Sequence, residues 1–189
     1  MNKNISDILE KNPIIAAINS EADLNAVLKS DINIVFILTS NILEISNVIK
    51  RLKEANKFVF VHIDRIEGLS SRSTLIIDYL IANTELNGII STKHNMIKYA
   101  KNKDILAIQR FFILDSLSFK NSLKNVEDTK PDAIEILPGL MPKIIKKITK
   151  EIKIPVIAGG LIQDKQDIIG VIEAGAYGVS STNKDIWNM

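Results

Sequence analysis

The chain has few side chains able to do chemistry, and most of them end or interrupt apolar runs. His62 and Asp64 close the run Phe58–Ile63, and Lys93 follows Gly88–Ile90. Gln109 and Arg110 lie inside Leu106–Leu114, and Glu135 lies between Ile134 and Ile136. A carboxylate near an imidazole can move protons, and a lysine whose amine is neutral can form a Schiff base with a carbonyl. Arg110 sits in too apolar a setting to stand unpaired, and Glu135 on the adjacent run is its natural counter-ion. Each residue also has a plain structural role: His62 and Asp64 as solvated rim groups or loop caps, Lys93 as a rim cation that neutralises a phosphate or simply faces water, Arg110 and Glu135 as a buried ion pair.

Two further segments suit anion binding. Ala158-Gly159-Gly160-Leu161 follows one apolar run, and Ser180-Ser181-Thr182-Asn183 follows the next. Adjacent glycines let backbone N–H groups approach an anion with no Cβ in the way, hydroxyls add donors, and a helix starting near Asn183 would point its positive end at the site. The plainer alternative is that the glycine pair makes a tight turn. No metal or organic cofactor is expected: there is no cysteine, His62 and His94 are far apart, and neither His-x-x-Glu nor His-x-His spacing occurs.

These residues must be positioned by a repeating frame. Short aliphatic runs recur at Ile14–Ile18, Ile32–Leu38, Phe58–Ile63, Gly88–Ile90, Leu106–Leu114, Ala133–Leu137, Val156–Ala158 and Tyr177–Val179. Continuous Ile- and Val-rich runs mark strands buried on both faces of a parallel sheet. Amphipathic stretches between them read as helices over Ile42–Ala55, Arg72–Asn83, Pro142–Lys153 and Gln163–Glu173, with a short helix over Ile5–Glu10 in an N-terminal lead-in of residues 1–12. Eight strand–helix units in one domain spanning 1–189 predict an α/β fold, a compact (β/α)8 TIM-type barrel. Such barrels usually take about 250 residues, so the loops must be short. An open doubly wound sheet fits less well, because Asn19, Ser20 and Glu21, not glycines, follow the first strand. In a barrel every candidate above falls at the carboxyl ends of strands, where such folds bind ligands.

Composition narrows the class. Of 189 residues, 24 are basic and 22 acidic, for a net charge of +2, and 46 % are hydrophobic. That aliphatic content with balanced charge excludes a disordered chain, and the lack of cysteine excludes a disulfide scaffold. The N-terminus carries charges throughout, unlike a secretory signal, and the uncharged stretch between Asp31 and Glu44 is shorter than the roughly 20 residues a membrane helix needs. A soluble cytoplasmic protein with no membrane contact is expected. Lys143, Lys146, Lys147, Lys150 and Lys153 line one helix face, either an RNA-phosphate stripe or a solvated exterior.

Several segments are similar to a known family. His62-Ile63-Asp64-Arg65-Ile66-Glu67-Gly68-Leu69, Gly88–Lys93, Ile108–Ser116, Pro131–Gly139, Pro155–Leu161 and Val179–Asn183 with Trp187 resemble the glycerol-uptake-operon antiterminator regulatory proteins. Arg65 stands where an aliphatic residue is usual in that family, and Ser71-Arg72-Ser73-Thr74 replaces a more acidic stretch. The resemblance implies a barrel-like, cytoplasmic bacterial regulator, not an enzyme, that responds to glycerol 3-phosphate and binds the leader mRNA of glycerol-utilisation genes. Its partners would be that RNA, the effector and, where switching works through association, further copies in a homo-oligomer. The competing expectation from the residues alone is a phosphosugar isomerase, epimerase or lyase using Lys93, His62, Asp64 or Glu135.

Overall fold

The structure is a computed structural model and describes residues 5–189. In chain order its elements are α1 (Ile5–Lys11), β1 (Ile14–Ile18), α2 (Glu21–Leu28), β2 (Ile34–Ile37), β3 (Ser40–Asn41), α3 (Ile45–Glu54), β4 (Phe58–His62), β5 (Ile66–Glu67), α4 (Leu75–Asn83) and β6 (Gly88–Ser91). They continue with α5 (His94–Asn102), β7 (Leu106–Phe112), α6 (Ser116–Thr129), β8 (Ala133–Leu137), α7 (Pro142–Glu151), β9 (Val156–Gly159), α8 (Lys165–Glu173), β10 (Gly178–Ser181) and α9 (Lys184–Trp187). Eight parallel strands close in the order β1-β2-β4-β6-β7-β8-β9-β10. This is the expected (β/α)8 barrel, and each predicted apolar run supplies one of its strands.

The barrel has two hydrophobic compartments because strand side chains alternate in and out. Ile15, Phe36, Phe60, Ile90, Ile108 and Ile157 fill the interior, and Ile5, Ile8 and Leu9 of α1 join them. Phe36 and Phe60 meet edge to face with centroids 5.7 Å apart. The outward residues, such as Val35, Val59, Ile89, Ile136 and Val179, pack against the helix ring. Each fully buried isoleucine or valine contributes roughly 1.5–3 kcal/mol, so the run pattern itself carries most of the fold.

Helix starts follow local chemistry. Ser20 caps α2, and Asp115 and Asp164 form capping boxes with Ser118 and Asp167. Gly175, at φ +100°, turns the chain after α8, as its position predicts. Two features differ from the run pattern. Strands β3 and β5 form a two-stranded clasp outside the barrel, and a 3-10 turn over Ile63–Arg65 separates β4 from β5.

Candidate functional site at the mouth of the barrel

Carried round the barrel, the strand registers place Ala17, His62, Arg110 and Gly159 in one interior layer, with Phe36, Ile90, Glu135 and Ser180 immediately beneath. The two small residues, Gly159 and Ala17, therefore stand next to each other in the ring and opposite the two polar ones, which leaves room beside Arg110. Arg110 and Glu135 are register partners, and the Arg110 Nε donates to Glu135 Oε2 at 2.6 Å. The Ser180 hydroxyl donates to Glu135 Oε1 at 2.5 Å. The pair is side-chain buried to 7 % and 1 % exposure, so its desolvation is offset only by these charged hydrogen bonds. Among the described residues the Arg110 Nη atoms meet no acceptor, and Arg110 lines the cavity above.

That cavity has a volume of about 590 Å³ and is lined by Ala17, Leu38, Arg110, Glu135, Leu137, Gly160, Leu161, Ile162, Gln163, Ser180, Ser181, Thr182 and Asn183. Its wall between β9 and β10 is backbone. Gly160 and Leu161 both adopt left-handed φ, +76° and +63°. For leucine this is strained, and the strain sits in the wall of the cavity. The N–H groups of Gly160, Leu161 and Thr182 have no acceptor among the described residues. Three free amides beside a guanidinium are the kind of donor set that a phosphate-sized anion can satisfy.

Gly159 has a different role from the one its sequence position suggests. A Cβ there would lie 2.6 Å from Glu135 Oε1 and 2.7 Å from Ser180 Oγ, so this glycine makes room for the carboxylate and hydroxyl beneath the cavity. Ser181 lines the cavity but faces out of the barrel, where its Oγ accepts from Asn183 N at 3.1 Å. The indole of Trp187 donates to the Ser181 carbonyl at 2.8 Å and fixes the turn after β10. The expected helix beyond Asn183 is α9, but it has only four residues and Asn183 itself accepts from Asp185 N at 3.0 Å. Its dipole adds little to that donor set.

His62 points into the barrel, is 3 % exposed, and its Nδ1 has no hydrogen-bond partner. Burial first, then the positive charge of Arg110, pushes its pKa down from 6.5 to about 4, against the opposing pull of Asp64. It is neutral at pH 7.

Three expected site residues lie elsewhere. Alternation along β7 sends Gln109 outward once Arg110 faces in, and Gln109 Oε1 accepts from Thr129 Oγ1 at 2.6 Å beneath α6. Asp64 does not share a face with His62, because the 3-10 turn lifts it out of the strand. Its carboxylate accepts from Ser91 Oγ at 2.8 Å, Thr92 N at 2.7 Å and Thr92 Oγ1 at 2.9 Å, fastening the β4 and β6 loops together. Lys93 donates to the Ser71 carbonyl at 2.9 Å and to the Ser71 hydroxyl, so it holds the loop before α4 and does not line the cavity. The cation at the mouth is Arg110.

On the barrel exterior, Ile145 and Ile148 bury the inner face of α7, and Lys143, Lys146, Lys147 and Lys150 are exposed, with Lys153 just beyond. None of these five meets a carboxylate among the described residues, whereas Lys98, Lys101, Lys103 and Lys184 all do. No group of three or more metal-ligating side chains occurs among the described residues, and no helix there is long and apolar enough to cross a membrane.

Known proteins share both sequence and architecture with this chain. An Escherichia coli K12 protein described as uncharacterised, YgcP, is 42 % identical over 182 residues, covering 96 % of this chain and 95 % of that one. The crystal structure of a glycerol uptake operon antiterminator regulatory protein from Listeria monocytogenes superposes with a TM-score of 0.88 at 35 % identity, covering 92 % of this chain and 94 % of that one. A glycerol uptake operon antiterminator-related protein from Thermotoga maritima gives 0.79 at 30 % identity, with 94 % and 99 % covered. An aldolase at 16 % identity and an epimerase at 14 % share the barrel alone. The glycerol-3-phosphate responsive antiterminator family model matches residues 14–187, and this chain belongs to that family.

Proposed function

We propose that the protein is a cytoplasmic transcription antiterminator that binds the leader mRNA of glycerol-utilisation genes in response to glycerol 3-phosphate. The observation that carries the effector half is that Arg110 and three residues with unpaired backbone amides, Gly160, Leu161 and Thr182, line one cavity. A phosphate dianion satisfies all of them at once, and charge-assisted hydrogen bonds of this kind are the strong ones. Beneath it, Glu135 and Ser180 offer an acceptor and a hydroxyl to the polyol end of the ligand. The reading needs no cofactor besides the effector. Support for the RNA half comes from family membership and from the unpaired lysines of α7.

Isothermal titration calorimetry with sn-glycerol 3-phosphate, glycerol and inorganic phosphate tests the effector site. The phosphorylated triol should bind most tightly, inorganic phosphate weakly, and glycerol not measurably. Heat flow at baseline for the phosphorylated ligand at millimolar concentration would remove the sensing claim.

One observation favours a second reading, a phosphosugar enzyme. A neutral, unpartnered imidazole lies beside Arg110 inside the barrel, as a general base would. Turnover of a triose or hexose phosphate that disappears in H62L would establish it.

A further inference from the structure

The anion loop is in direct contact with the loop that leads into α7. The Gly139 N–H donates to the Gly160 carbonyl at 3.1 Å. A Cβ on Gly139 would lie 3.1 Å from the Gly159 N and O atoms and from Ile162 Cδ1, so any other residue there would push the two loops apart by a few tenths of an ångström. Met141 N then donates to the Gly139 carbonyl at 2.7 Å, and α7 begins at the next residue. On the strand side, Leu137 lines the cavity and is the register partner of Phe112. Phe112 is 52 % exposed, while the other phenylalanines are buried or half-buried. Leu140 is exposed beside the start of α7.

We propose that Phe112, Leu140 and the lysine face of α7 form the docking surface for single-stranded RNA, coupled to the effector site through the Gly139–Gly160 contact. The inference rests on the antiterminator reading above and adds the surface and the route. Charge complementarity selects the occupant. Lys143, Lys146, Lys147 and Lys150 span about 10 Å of helix, and without acidic partners they are free to displace counterions from a phosphate backbone. An exposed phenyl ring on β7, the strand paired with the one that leads into α7, offers a stacking platform to an unpaired base, which a duplex cannot present. A second copy of the same face would bring like charges together. An effector held by the Gly160 and Leu161 amides also fixes Gly139 and the first turn of α7, so RNA then meets an already ordered surface and binds with less entropic loss.

The test uses a fluorescein-labelled random 30-nucleotide RNA pool enriched on the full-length protein in the presence of sn-glycerol 3-phosphate, read by anisotropy. F112L, which keeps an apolar side chain but loses the ring, should weaken RNA binding about tenfold. F112W should restore it. K143E/K146E/K147E/K150E should abolish most binding and flatten the salt dependence by about 0.7 in slope for each lysine in contact. All variants should keep wild-type effector affinity and thermal midpoint. Effector and RNA should tighten each other's binding by the same factor in the wild type, as linkage requires.

If no pool enriches, the antiterminator reading fails and the inference fails with it. If RNA binds but both F112L and the lysine reversal stay within twofold of wild type, this surface is wrong and the antiterminator reading survives. Loss of a dimer in F112L by sedimentation, with RNA affinity intact, would make the rim a protein contact and overturn the proposal. RNA affinity identical with and without effector would overturn the coupling.

Discussion

His62 should make the fold acid-labile, and substituting it should remove most of that lability. In the unfolded chain an exposed histidine titrates near 6.5, whereas in the barrel burial and the Arg110 charge hold it at about 4. The folded state therefore favours the neutral imidazole, and the unfolded state binds the extra proton first as pH falls. Stability from this residue is fully present above about pH 6.5 and is lost progressively down to about pH 4. Between pH 7 and pH 5 the linkage relation gives a loss of about 2 kcal/mol from this one group. Replacing it with leucine, H62L, removes the titration and the unpartnered Nδ1 together. Urea unfolding followed by far-ultraviolet circular dichroism at pH 7, 6 and 5 should show the wild type losing about 2 kcal/mol more than H62L over that range. In parallel, the native His62 ring resonances should titrate near pH 4. Superimposable pH–stability curves for the two proteins would refute the placement of a neutral, desolvated imidazole in the barrel.

Two substitutions probe the mouth directly. E135Q leaves the Arg110 guanidinium buried without its counter-ion and should cost about 3–5 kcal/mol by urea denaturation, while R110M/E135L, which removes both charges, should recover most of that loss; equal losses would mean that the pair is not desolvated. G160V places a β-branched side chain at φ +76°, which should cost about 1–2 kcal/mol in stability and lower sn-glycerol 3-phosphate affinity at least tenfold by calorimetry. Unchanged affinity would put the anion elsewhere.

The barrel was legible because its strands are buried on both faces, so that runs such as Ile34–Ile37 and Phe58–His62 stand out without any alternation to decode. The same property hid the facing of side chains. In Leu106–Phe112 both faces are apolar, and pattern alone does not say whether Gln109 or Arg110 points inward. Pairing Arg110 with Glu135 does decide it: once that pair is inside, alternation puts Gln109 outside against Thr129. Strand alternation carried on from His62 would put Asp64 on the same face, but the segment turns as a 3-10 helix and no local residue signals that turn. Ser71 and Lys93 meet across 22 positions of chain, a contact that only the packed loops create. The clasp of β3 and β5 is two residues per strand, too short for any periodicity to register. The members of the glycine pair divide the work: Gly159 gives way to Glu135, and Gly160 makes a left-handed turn in the cavity wall.

The side chains that a phosphosugar enzyme would need are mostly held in structural contacts, and this bears on whether the mouth senses or transforms its ligand. Glu135 accepts a hydrogen bond on each oxygen, from Arg110 and from Ser180. Asp64 is bound by three donors, and Lys93 is tied to a carbonyl and a hydroxyl of Ser71 outside the cavity. A Schiff base at Lys93 requires a free amine facing the carbonyl carbon. To supply one, the loop before α4 must release the lysine and the side chain must swing past the Asp64 fastening. The protein incubated with dihydroxyacetone phosphate and sodium borohydride should therefore show no mass increase, and peptide mapping should recover unmodified Lys93. A reduced three-carbon adduct on that lysine would show that the loop opens under turnover conditions, and the enzymatic reading would then displace the sensor.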